Sequence, residues 1–481
     1  MNYRSTRDAG CIVDSAQAVL EGLAPDGGLY LPERLPDFDT AACLAGDTMS
    51  MAAQILSALL PDIPDMETLV HRAYEGKFES NQLTPTVPVG DFSVLELFRG
   101  PTSAFKDVAL CMLPQLMTAA KTAKGMDEDI LILTATSGDT GKAALAGFQD
   151  VPGIRICVFY PDGGVSAVQR AQMVTQEGNN VTVCAVRGNF DDAQTGVKNI
   201  FTACRDKELP FSLSSANSIN IGRLAPQITY YFKAYRDLLD RGVIKMGDEV
   251  NFSVPTGNFG DILAGYLAKQ LGLPVGMLIC ASNANNVLTD FIRTGTYDRR
   301  RPLHKTLSPS MDILVSSNLE RLLYLLSGDC ALVAKLMGQL NQEGHYTVPA
   351  ELLQAIQSQF WAGCINDEQG QQTINRVWKD HGYLCDTHTA SGWAVAEDYV
   401  NQTGDKRPMV VLSTASPYKF PAAVLAAIGG DGCGDEFDQM ERLEKITGVP
   451  TPGNLTGLRE KPERHTGVIN KEQMLEFVLE L

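Results

Sequence analysis

From about Val94 onward, short apolar runs rich in β-branched residues alternate with stretches of helical spacing, and this alternation restricts the possible folds strongly. Continuous apolar runs of this length are typical of strands that are buried on both faces. Such strands, separated by helices, form a parallel sheet that helices cover on both sides. The predicted fold class is therefore α/β and doubly wound. The predicted strands are residues 130–134, 154–160, 181–186, 250–254, 275–281 and 409–412.

The chain has 481 residues, which is more than one hydrophobic core usually supports, so we expect more than one domain. Residues 1–93 lack the strand–helix alternation and contain helical patterns, as in residues 48–60. We interpret residues 1–93 as an N-terminal helix-rich domain and residues 94–481 as the α/β region. Residues 318–379 show helical spacing throughout, which predicts a helical insert.

The charge balance limits the possible partners. The formal net charge of −17 at pH 7 disfavours nucleic acid and anionic membranes as partners. No apolar run approaches the roughly 20 residues of a membrane span, and residues 1–10 lack a signal-peptide core. We therefore expect a cytoplasmic protein with no membrane or nucleic-acid partner. A site for an anionic substrate must be built locally, from helix N-termini and a few cations.

Cysteine and histidine patterns give no support for a disulfide framework or a metal site. The 11 cysteines occur without a CxxC pair, and the six histidines are dispersed without an HExxH pattern. Cys157, Cys184 and Cys280 lie inside apolar runs and are predicted to be reduced core residues. No GxSxG pattern occurs, so a serine hydrolase is not indicated.

The segment PTSAFKD, residues 101–107, places Lys106 in or near the first turn of an apolar helix. We predict Thr102 or Ser103 as the helix N-cap. A lysine that is partly withdrawn from water tends towards its neutral form, which is the nucleophile that forms a Schiff base. The alternative is a surface lysine whose stem covers Phe105, and this segment alone favours that alternative.

A second segment, TATSGDTGK at residues 134–142, follows a predicted strand and precedes a helix. Its glycines let a ligand approach the backbone, and the amides at the helix start can bind a carboxylate or a phosphate. A nucleotide-binding P-loop has four residues between its first glycine and the Gly-Lys pair, but only two residues separate Gly138 from Gly141-Lys142. In addition, Ala143 stands where a P-loop has a hydroxyl residue. Nucleoside triphosphate binding is therefore not predicted. An ordinary strand-to-helix turn is the alternative.

Three further segments carry polar residues before predicted helices. The segment PTGNFGD, residues 255–261, is a second possible anion cradle or a plain turn. It is not GxGxxG, which argues against a nicotinamide dehydrogenase. Residues 412–420 place the hydroxyl of Thr414 where it could bond a cofactor ring nitrogen or cap a helix. Residues 214–223 combine hydroxyls, carboxamides and an arginine that could clamp an oxyanion or cap the next helix.

In their order, the motifs SxFKD, SGDTG, NxIN..R, GNFGD and the Ser/Thr strand end resemble those of the threonine synthase family of fold-type II pyridoxal-phosphate enzymes. The opening segments YRSTR, residues 3–7, and GLAPDGGLY, residues 22–30, are similar to that family's N-terminal domain. The resemblance covers essentially the whole chain. It implies two doubly wound parallel-sheet subdomains after the N-terminal domain, the smaller at about residues 125–235.

The resemblance also implies roles for individual residues around pyridoxal 5′-phosphate. Lys106 carries the cofactor covalently, Thr414 faces its pyridine nitrogen, and Asp139 lies near its 3′ oxygen. Many fold-type II enzymes have asparagine at that last position, and a carboxylate beside an oxyanion is repelled unless a proton lies between them. The cofactor phosphate is bound by the backbone amides of Gly257, Asn258, Phe259, Gly260 and Asp261.

The substrate implied by the resemblance is O-phospho-L-homoserine, which reacts with water to give L-threonine and phosphate. The implied substrate-binding residues are Ser137, Gly138 and Thr140 for the carboxylate, and Lys142 and Arg223, assisted by Ser214, Asn217 and Asn220, for the phosphate. A phospho-lyase that releases 2-oxobutyrate, a serine or threonine dehydratase and a non-catalytic relative remain alternatives. The chain is expected to be a monomer or a homodimer.

Overall fold

The computed structural model describes residues 1–80, 82–136, 138–204, 207 and 209–481. The strands are β1 (Asn2–Ser5), β2 (Ile12–Asp14), β3 (Tyr30–Pro32), β4 (Thr86–Val89), β5 (Phe92–Glu96), β6 (Asp129–Ala135), β7 (Ile154–Pro161), β8 (Val181–Arg187), β9 (Phe211–Ser214), β10 (Val250–Pro255), β11 (Val275–Ser282), β12 (Thr296–Asp298), β13 (His345–Thr347), β14 (Phe360–Cys364), β15 (Met409–Ser413) and β16 (Gly467–Asn470).

The α-helices alternate with these strands over most of the chain. They are α1 (Ser15–Glu21), α2 (Thr40–Ala45), α3 (Thr48–Leu59), α4 (Met66–Tyr74), α5 (Lys106–Ala123), α6 (Asp139–Phe148), α7 (Ala167–Val174), α8 (Phe190–Cys204), α9 (Ile221–Leu224), α10 (Ile228–Asp240), α11 (Gly260–Gln270), α12 (Val287–Thr294), α13 (Leu319–Ser327), α14 (Cys330–Glu343), α15 (Ala350–Gln357), α16 (Asp367–His381), α17 (Thr387–Thr403), α18 (Pro421–Ala427), α19 (Glu436–Thr447) and α20 (Met474–Leu479). Short 3₁₀ turns cover Ala225–Gln227, Pro309–Met311, Pro417–Lys419 and Lys471–Gln473.

Two mainly parallel sheets form the body of the molecule. The larger has the order β14-β11-β10-β15-β5-β4, in which only β4 runs antiparallel to its neighbour. The smaller is entirely parallel and has the order β16-β8-β7-β6-β9. The α/β prediction with two doubly wound sheets is therefore confirmed. The order along the chain also shows that β16, from the C-terminal end, completes the smaller sheet.

Both faces of each sheet are buried, as the continuous apolar runs predicted. In β15, Val410 and Leu412 join one hydrophobic cluster, whereas Val411 joins another on the opposite face. In β6, Ile132 and Leu133 likewise belong to two different clusters. All six predicted strands are present, and the three cysteines predicted to be core residues are fully buried.

The elements of the structure differ from the sequence prediction within residues 318–379 and in the N-terminal region. We expected residues 318–379 to be helical throughout, but His345–Thr347 forms β13, which pairs with β12, and Phe360–Cys364 forms β14, which pairs with β11 in the larger sheet. The spacing of this short apolar run fits a buried strand as well as a helix. The N-terminal region contains the predicted helix, Thr48–Leu59, but also a three-stranded antiparallel sheet, order β2-β1-β3. The division at residue 93 and the smaller subdomain at 125–235 stay predictions.

Within the described ranges, no helix is both long enough and apolar enough to cross a membrane.

Candidate active site

The carboxyl ends of β6, β10 and β15 lead into the three polar segments that the sequence singled out. The start of α5 lies directly against the end of β15. The backbone amide of Phe105 donates to the carbonyl of Thr414 at 2.8 Å, and the amide of Ser416 donates to the carbonyl of Ser103 at 3.1 Å. These two hydrogen bonds place Lys106, which follows Phe105, beside the strand end that carries Thr414.

Lys106 is the first residue of α5, as expected, but the predicted N-cap is wrong. Phe105 occupies the N-cap position and makes no side-chain cap. Thr102 donates its backbone amide at 2.8 Å, and also its hydroxyl, to the carboxylate of Asp107. Ser103 lies in the left-handed region, with φ of 59°, which turns the chain before the helix can be capped by these hydroxyls. Asp107 therefore fixes the turn that presents Lys106.

The amine of Lys106 lies in a surrounding that favours its neutral form. Its Nζ is 4.6 Å from the ring centroid of Phe105, and the side chain is half-buried. Burial lowers the pKa of Lys106 to about 8, with Asp139 opposing this shift and Lys419 and Arg223 reinforcing it. A larger share of neutral amine at pH 7–8 makes Lys106 a better nucleophile than an ordinary surface lysine.

Two loops of the site could bind an anion, and the first of these anion loops connects β6 to α6. The hydroxyl of Thr136 accepts from the amides of Gly138 at 3.0 Å and Gly141 at 2.9 Å, which closes a tight turn. Gly138 has a φ of 137°, and a Cβ there would lie 2.4 Å from Cδ of Gln169. Ser137, which we predicted to bind the substrate carboxylate, lies outside the described residues. Thr140 is half-buried in the first turn of α6.

Asp139 begins α6 and is almost fully buried, at 4% exposure. It accepts from Nε2 of Gln169 at 2.9 Å and forms an ion pair with Nζ of Lys419 at 2.8 Å. Burial raises the pKa of this carboxyl, but the charges of Lys419 and Lys106 and the two hydrogen bonds outweigh burial and hold the pKa well below its usual range. Asp139 is therefore a stable anion inside the site.

The second anion loop connects β10 to α11, and hydrogen bonds from the segment before α13 hold it in place. The hydroxyl of Ser316 donates to the carbonyl of Gly257 at 2.8 Å, and the amide of Asn318 donates to the carbonyl of Asn258 at 3.0 Å. A Cβ on Gly257 would lie 2.7 Å from the carbonyl oxygen of Ser310, so a larger residue does not fit. Phe259 is left-handed, with φ of 62°. The result is a rigid turn that ends at a helix N-terminus, where anions bind favourably.

Asp261 lies in the first turn of α11 and has neutral partners. Its Oδ1 accepts from the hydroxyls of Tyr230 at 2.6 Å and Tyr231 at 3.0 Å. Its Oδ2 is buried, and the described residues provide no hydrogen bond to it. Burial raises the pKa of Asp261 to about 6, although the two tyrosine hydroxyls and the charge of Lys106 oppose the shift.

Arg223 is buried, at 3% exposure, close enough to Lys106 for its charge to lower the pKa of that lysine. Its Nη1 donates to the carbonyl of Ala216 at 2.7 Å, whereas Nε is buried and has no hydrogen-bond partner among the described residues. Burial lowers the pKa of Arg223 to about 10. Apart from burial, the group that acts on this pKa is the phenol of Tyr230 and not a carboxylate, so this buried cation is well suited to an anionic ligand.

The other polar residues predicted to bind the substrate phosphate have different surroundings. Ser214 donates its hydroxyl to the carbonyl of Leu20 at 3.1 Å, and Asn220 donates Nδ2 to the carbonyl of Val19 at 2.9 Å, so both side chains bind α1. Asn217 is half-buried in the turn between them. Lys142 donates Nζ to Oε1 of Gln176, and burial lowers its pKa to about 8.

Sequence reasoning missed Lys419 and Gln169, the two side chains that hold Asp139. Lys419 lies five residues after Thr414 in the segment 412–420, where the sequence pattern indicates a role only for the hydroxyls. The four cations of the site are Lys106, Lys142, Arg223 and Lys419. In a chain with a net charge of −17, this local set supports the expectation of a locally built anion site.

No group of three or more His, Cys, Asp or Glu residues within the described ranges could hold a metal ion.

Three family models match consecutive parts of the chain. The model described as "Threonine synthase N terminus" matches residues 2–74, and "Pyridoxal-phosphate dependent enzyme" matches residues 78–335. The model described as "Threonine synthase, C-terminal" matches residues 389–478. The second match spans the start of α5 and both anion loops.

Curated relatives and solved structures agree with these matches. The chain is 39% identical to a threonine synthase from Pseudomonas aeruginosa, covering 94% of this chain and 96% of that protein. It is 40% identical to threonine synthase-like 1 from Macaca fascicularis, covering 86% of this chain but only 58% of that longer protein. A pyridoxal-phosphate-bound threonine synthase structure from Brucella melitensis aligns with a TM-score of 0.87 and 40% identity, covering 100% of this chain and 98% of that one. A threonine synthase structure from yeast gives 0.88 and 33%, covering 99% and 98%. The chain belongs to the threonine synthase family of pyridoxal-phosphate-dependent enzymes.

Proposed function

We propose that the protein is a threonine synthase that converts O-phospho-L-homoserine and water into L-threonine and phosphate, with pyridoxal 5′-phosphate bound through Lys106. The observation that carries the proposal is the position of Lys106. The hydrogen bond from Phe105 to Thr414, at 2.8 Å, holds it at the strand end. Its charge also reaches Asp139 on the first anion loop and Asp261 on the second.

The residues around Lys106 fit the cofactor. A phosphate on the turn from Gly257 to Asp261 would meet backbone amides at the N-terminus of α11, where only glycine fits at position 257. Thr414 is a neutral, buried hydroxyl residue suited to a pyridine nitrogen. When bound, pyridoxal phosphate acts as an electron sink that stabilises negative charge on the α-carbon of the substrate.

The protein's own groups orient the substrate and move protons. With substrate bound to the cofactor, the amine of Lys106 would lie free beside the substrate and would carry protons at its α and β carbons. Its lowered pKa of about 8 keeps a useful fraction of the amine neutral near pH 7 to 8. Thr414 would give the cofactor ring nitrogen a neutral hydroxyl partner, which would favour an unprotonated nitrogen and so a weaker electron sink.

The two ends of the substrate would bind two different surfaces. Ser137, Gly138 and Thr140 at the start of α6 are the proposed carboxylate site, since the amides of a helix start bind anions. Arg223 and Lys142 are the proposed phosphate ligands, supported by the buried Nε of Arg223, which has no hydrogen bond from the described residues. Ser214, Asn217 and Asn220 support this surface, because Ser214 and Asn220 tie the 214–223 segment to α1.

We further propose that the protein is cytoplasmic and acts as a monomer or homodimer on a small-molecule substrate. All 11 cysteines are free thiols, which fits a reducing compartment.

The decisive test is incubation of the purified protein with phosphohomoserine and pyridoxal phosphate. We expect threonine and phosphate in equal amounts, and an absorbance band above about 400 nm that is absent in Lys106→Ala. Lys233→Ala, which removes a buried lysine paired with Asp237 on α10, is the matched control and keeps the band. Release of 2-oxobutyrate instead of threonine would make the protein a phospho-lyase. A wild-type protein that shows no band with added cofactor would overturn the proposal.

A further inference from the structure

We propose that Lys419 is the permanent counter-ion of Asp139 and positions that carboxylate beside the cofactor. This inference rests on the proposed function, because it takes Asp139 to face the 3′ oxygen of the cofactor. Lys419 acts through Asp139, so it is a positioning residue and not a catalytic one.

The geometry of Lys419 is that of a buried structural cation. Its side chain is 0% exposed, and its Nζ lies 2.8 Å from Oδ1 of Asp139. The same Nζ donates to the carbonyl of Thr102 at 3.0 Å. Two of the three ammonium donors are thus used by a carboxylate and a carbonyl, which compensates for much of the cost of removing this charge from water.

The ion pair joins both sheets at the site. Asp139 begins α6, directly after β6 of the smaller sheet, whereas Lys419 ends the 3₁₀ turn after β15 of the larger sheet. Thr102 belongs to the turn that presents Lys106. Lys419 therefore ties the first anion loop to the lysine that carries the cofactor, which fixes the distance between them.

The pair also explains how an aspartate can occupy this position. A lone carboxylate beside an ionised 3′ oxygen would be repelled by it. With Lys419 at 2.8 Å, the pair has no net charge, and Nε2 of Gln169 provides a second donor to the same carboxylate oxygen at 2.9 Å. The combination of Asp139 and Lys419 is then electrostatically equivalent to a neutral side chain at this place.

Other charged groups act on the same region. Lys419 lowers the pKa of Lys106 and also that of Lys142. Its removal therefore raises the pKa of the Lys106 amine while leaving Asp139 without its closest cation. Both changes stabilise protonated nitrogen near the cofactor. The remaining charged groups around the pair are Asp107, Arg223 and Asp261, and they are unchanged in the variants below.

The test compares Lys419→Met, Asp139→Asn and the double variant with the wild-type protein loaded with pyridoxal phosphate. The measurement is the pH titration of the visible absorbance band, together with the thermal midpoint of the cofactor-free protein. We expect the titration of Lys419→Met to move to higher pH by about 1–3 units. The double variant should return towards the wild-type titration and should melt above Lys419→Met, because an amide facing a methionine leaves no unpaired charge.

Two further variants separate positioning from folding. Lys419→Arg keeps the charge and should rescue the titration. Lys233→Met removes a buried lysine that pairs with Asp237 on α10, so it should lower the thermal midpoint and leave the titration unchanged. If Lys419→Met does not fold, folding of the double variant supports the pair, and failure of the double variant to fold overturns it.

The inference would be overturned if the visible band of Lys419→Met titrated at the wild-type pH. It would also be overturned if the double variant had the same titration and thermal midpoint as Lys419→Met. Either result would leave the proposed function intact. Absence of the visible band in the wild-type protein would instead reject the proposed function.

Discussion

Two aspartates occupy the same place in two similar loops, yet their charges are controlled in opposite ways. Asp139 and Asp261 each lie in the first turn of a helix that follows a parallel strand. Asp139 pairs with a buried lysine, and its pKa is held well below its usual range, whereas Asp261 accepts hydrogen bonds from two tyrosine hydroxyls and has a pKa raised to about 6. In a buried site, the nearest partner decides the ionisation of a carboxyl more than its position at a helix N-terminus does.

Asp139→Asn tests the charged half of this comparison and should have the largest effect. The substitution leaves Lys419 buried without its carboxylate, so the free energy of unfolding at pH 7 should fall by about 3–5 kcal/mol. The contribution of Asp139 is present above its unfolded pKa of 3.8 and is lost as the pH falls towards its lower folded value. Urea unfolding at pH 7 checks this. Equal stability of variant and wild type would show that the ion pair does not stabilise the fold.

Asp261→Asn tests the neutral half and should act in the opposite direction. The folded pKa of about 6 exceeds the unfolded value of 3.8. The contribution of protonated Asp261 to the free energy of unfolding is therefore fully present below about pH 4 and is lost as the pH rises through 6. The shift corresponds to about 3 kcal/mol. The amide variant should lack this decline when urea unfolding is followed from pH 4 to pH 8. An unchanged decline would assign it to another group.

Tyr230→Phe sharpens the comparison by removing one of the neutral donors. The hydroxyl of Tyr230 donates to Asp261 at 2.6 Å, so its loss should cost about 1–3 kcal/mol at pH 8, where the carboxylate is ionised, and less at pH 5. Tyr74→Phe is the matched control, because the hydroxyl of Tyr74 donates to the carbonyl of Val108 at 2.9 Å. Its cost should not depend on pH. A pH-independent cost in Tyr230→Phe would contradict the assigned role.

Ser166→Ala should give the smallest effect. Ser166 and Gln169 form the capping box of α7, and Gln169 also donates to Asp139. Loss of the cap should cost about 1 kcal/mol in thermal or urea unfolding and should shift the cofactor titration slightly. Asn366→Ala removes the equivalent capping box of α16 and should cost a similar amount without a titration shift. A shift in both variants would mean that helix capping, and not the contact with Asp139, is responsible.

Local patterns predicted most of the fold and the segments of the site. Six apolar runs predicted six buried strands, because a strand that is buried on both faces needs apolar residues at consecutive positions. The segment around Lys106 favours a surface lysine when it is considered alone, and the role of Lys106 was predicted from the order of motifs that resembles the threonine synthase family. In contrast, the sequence pattern predicts a helix at Phe360–Cys364, where the structure has a strand, because a short apolar run does not distinguish helix from strand without its sheet neighbours.

The partners of the site residues could not be predicted in the same way. Lys419 and Asp139 are far apart in the sequence, and nothing near either residue indicates the other. The packing of the two sheets decides that Asp139 contacts a lysine and that Asp261 contacts tyrosines. That information appears only in three dimensions, so the opposite pKa shifts of Asp139 and Asp261 required the structure.

The position of β16 has a consequence for how the chain is made. Gly467–Asn470 pairs with Cys184–Arg187 at the edge of the smaller sheet, although the other strands of that sheet end by Ser214. During synthesis, β8 therefore waits with an open edge while more than half of the chain is still being added, and an open edge can pair with other molecules. Residues 467–470 thus cover the edge of β8, so their deletion should promote aggregation through a strand that was translated much earlier.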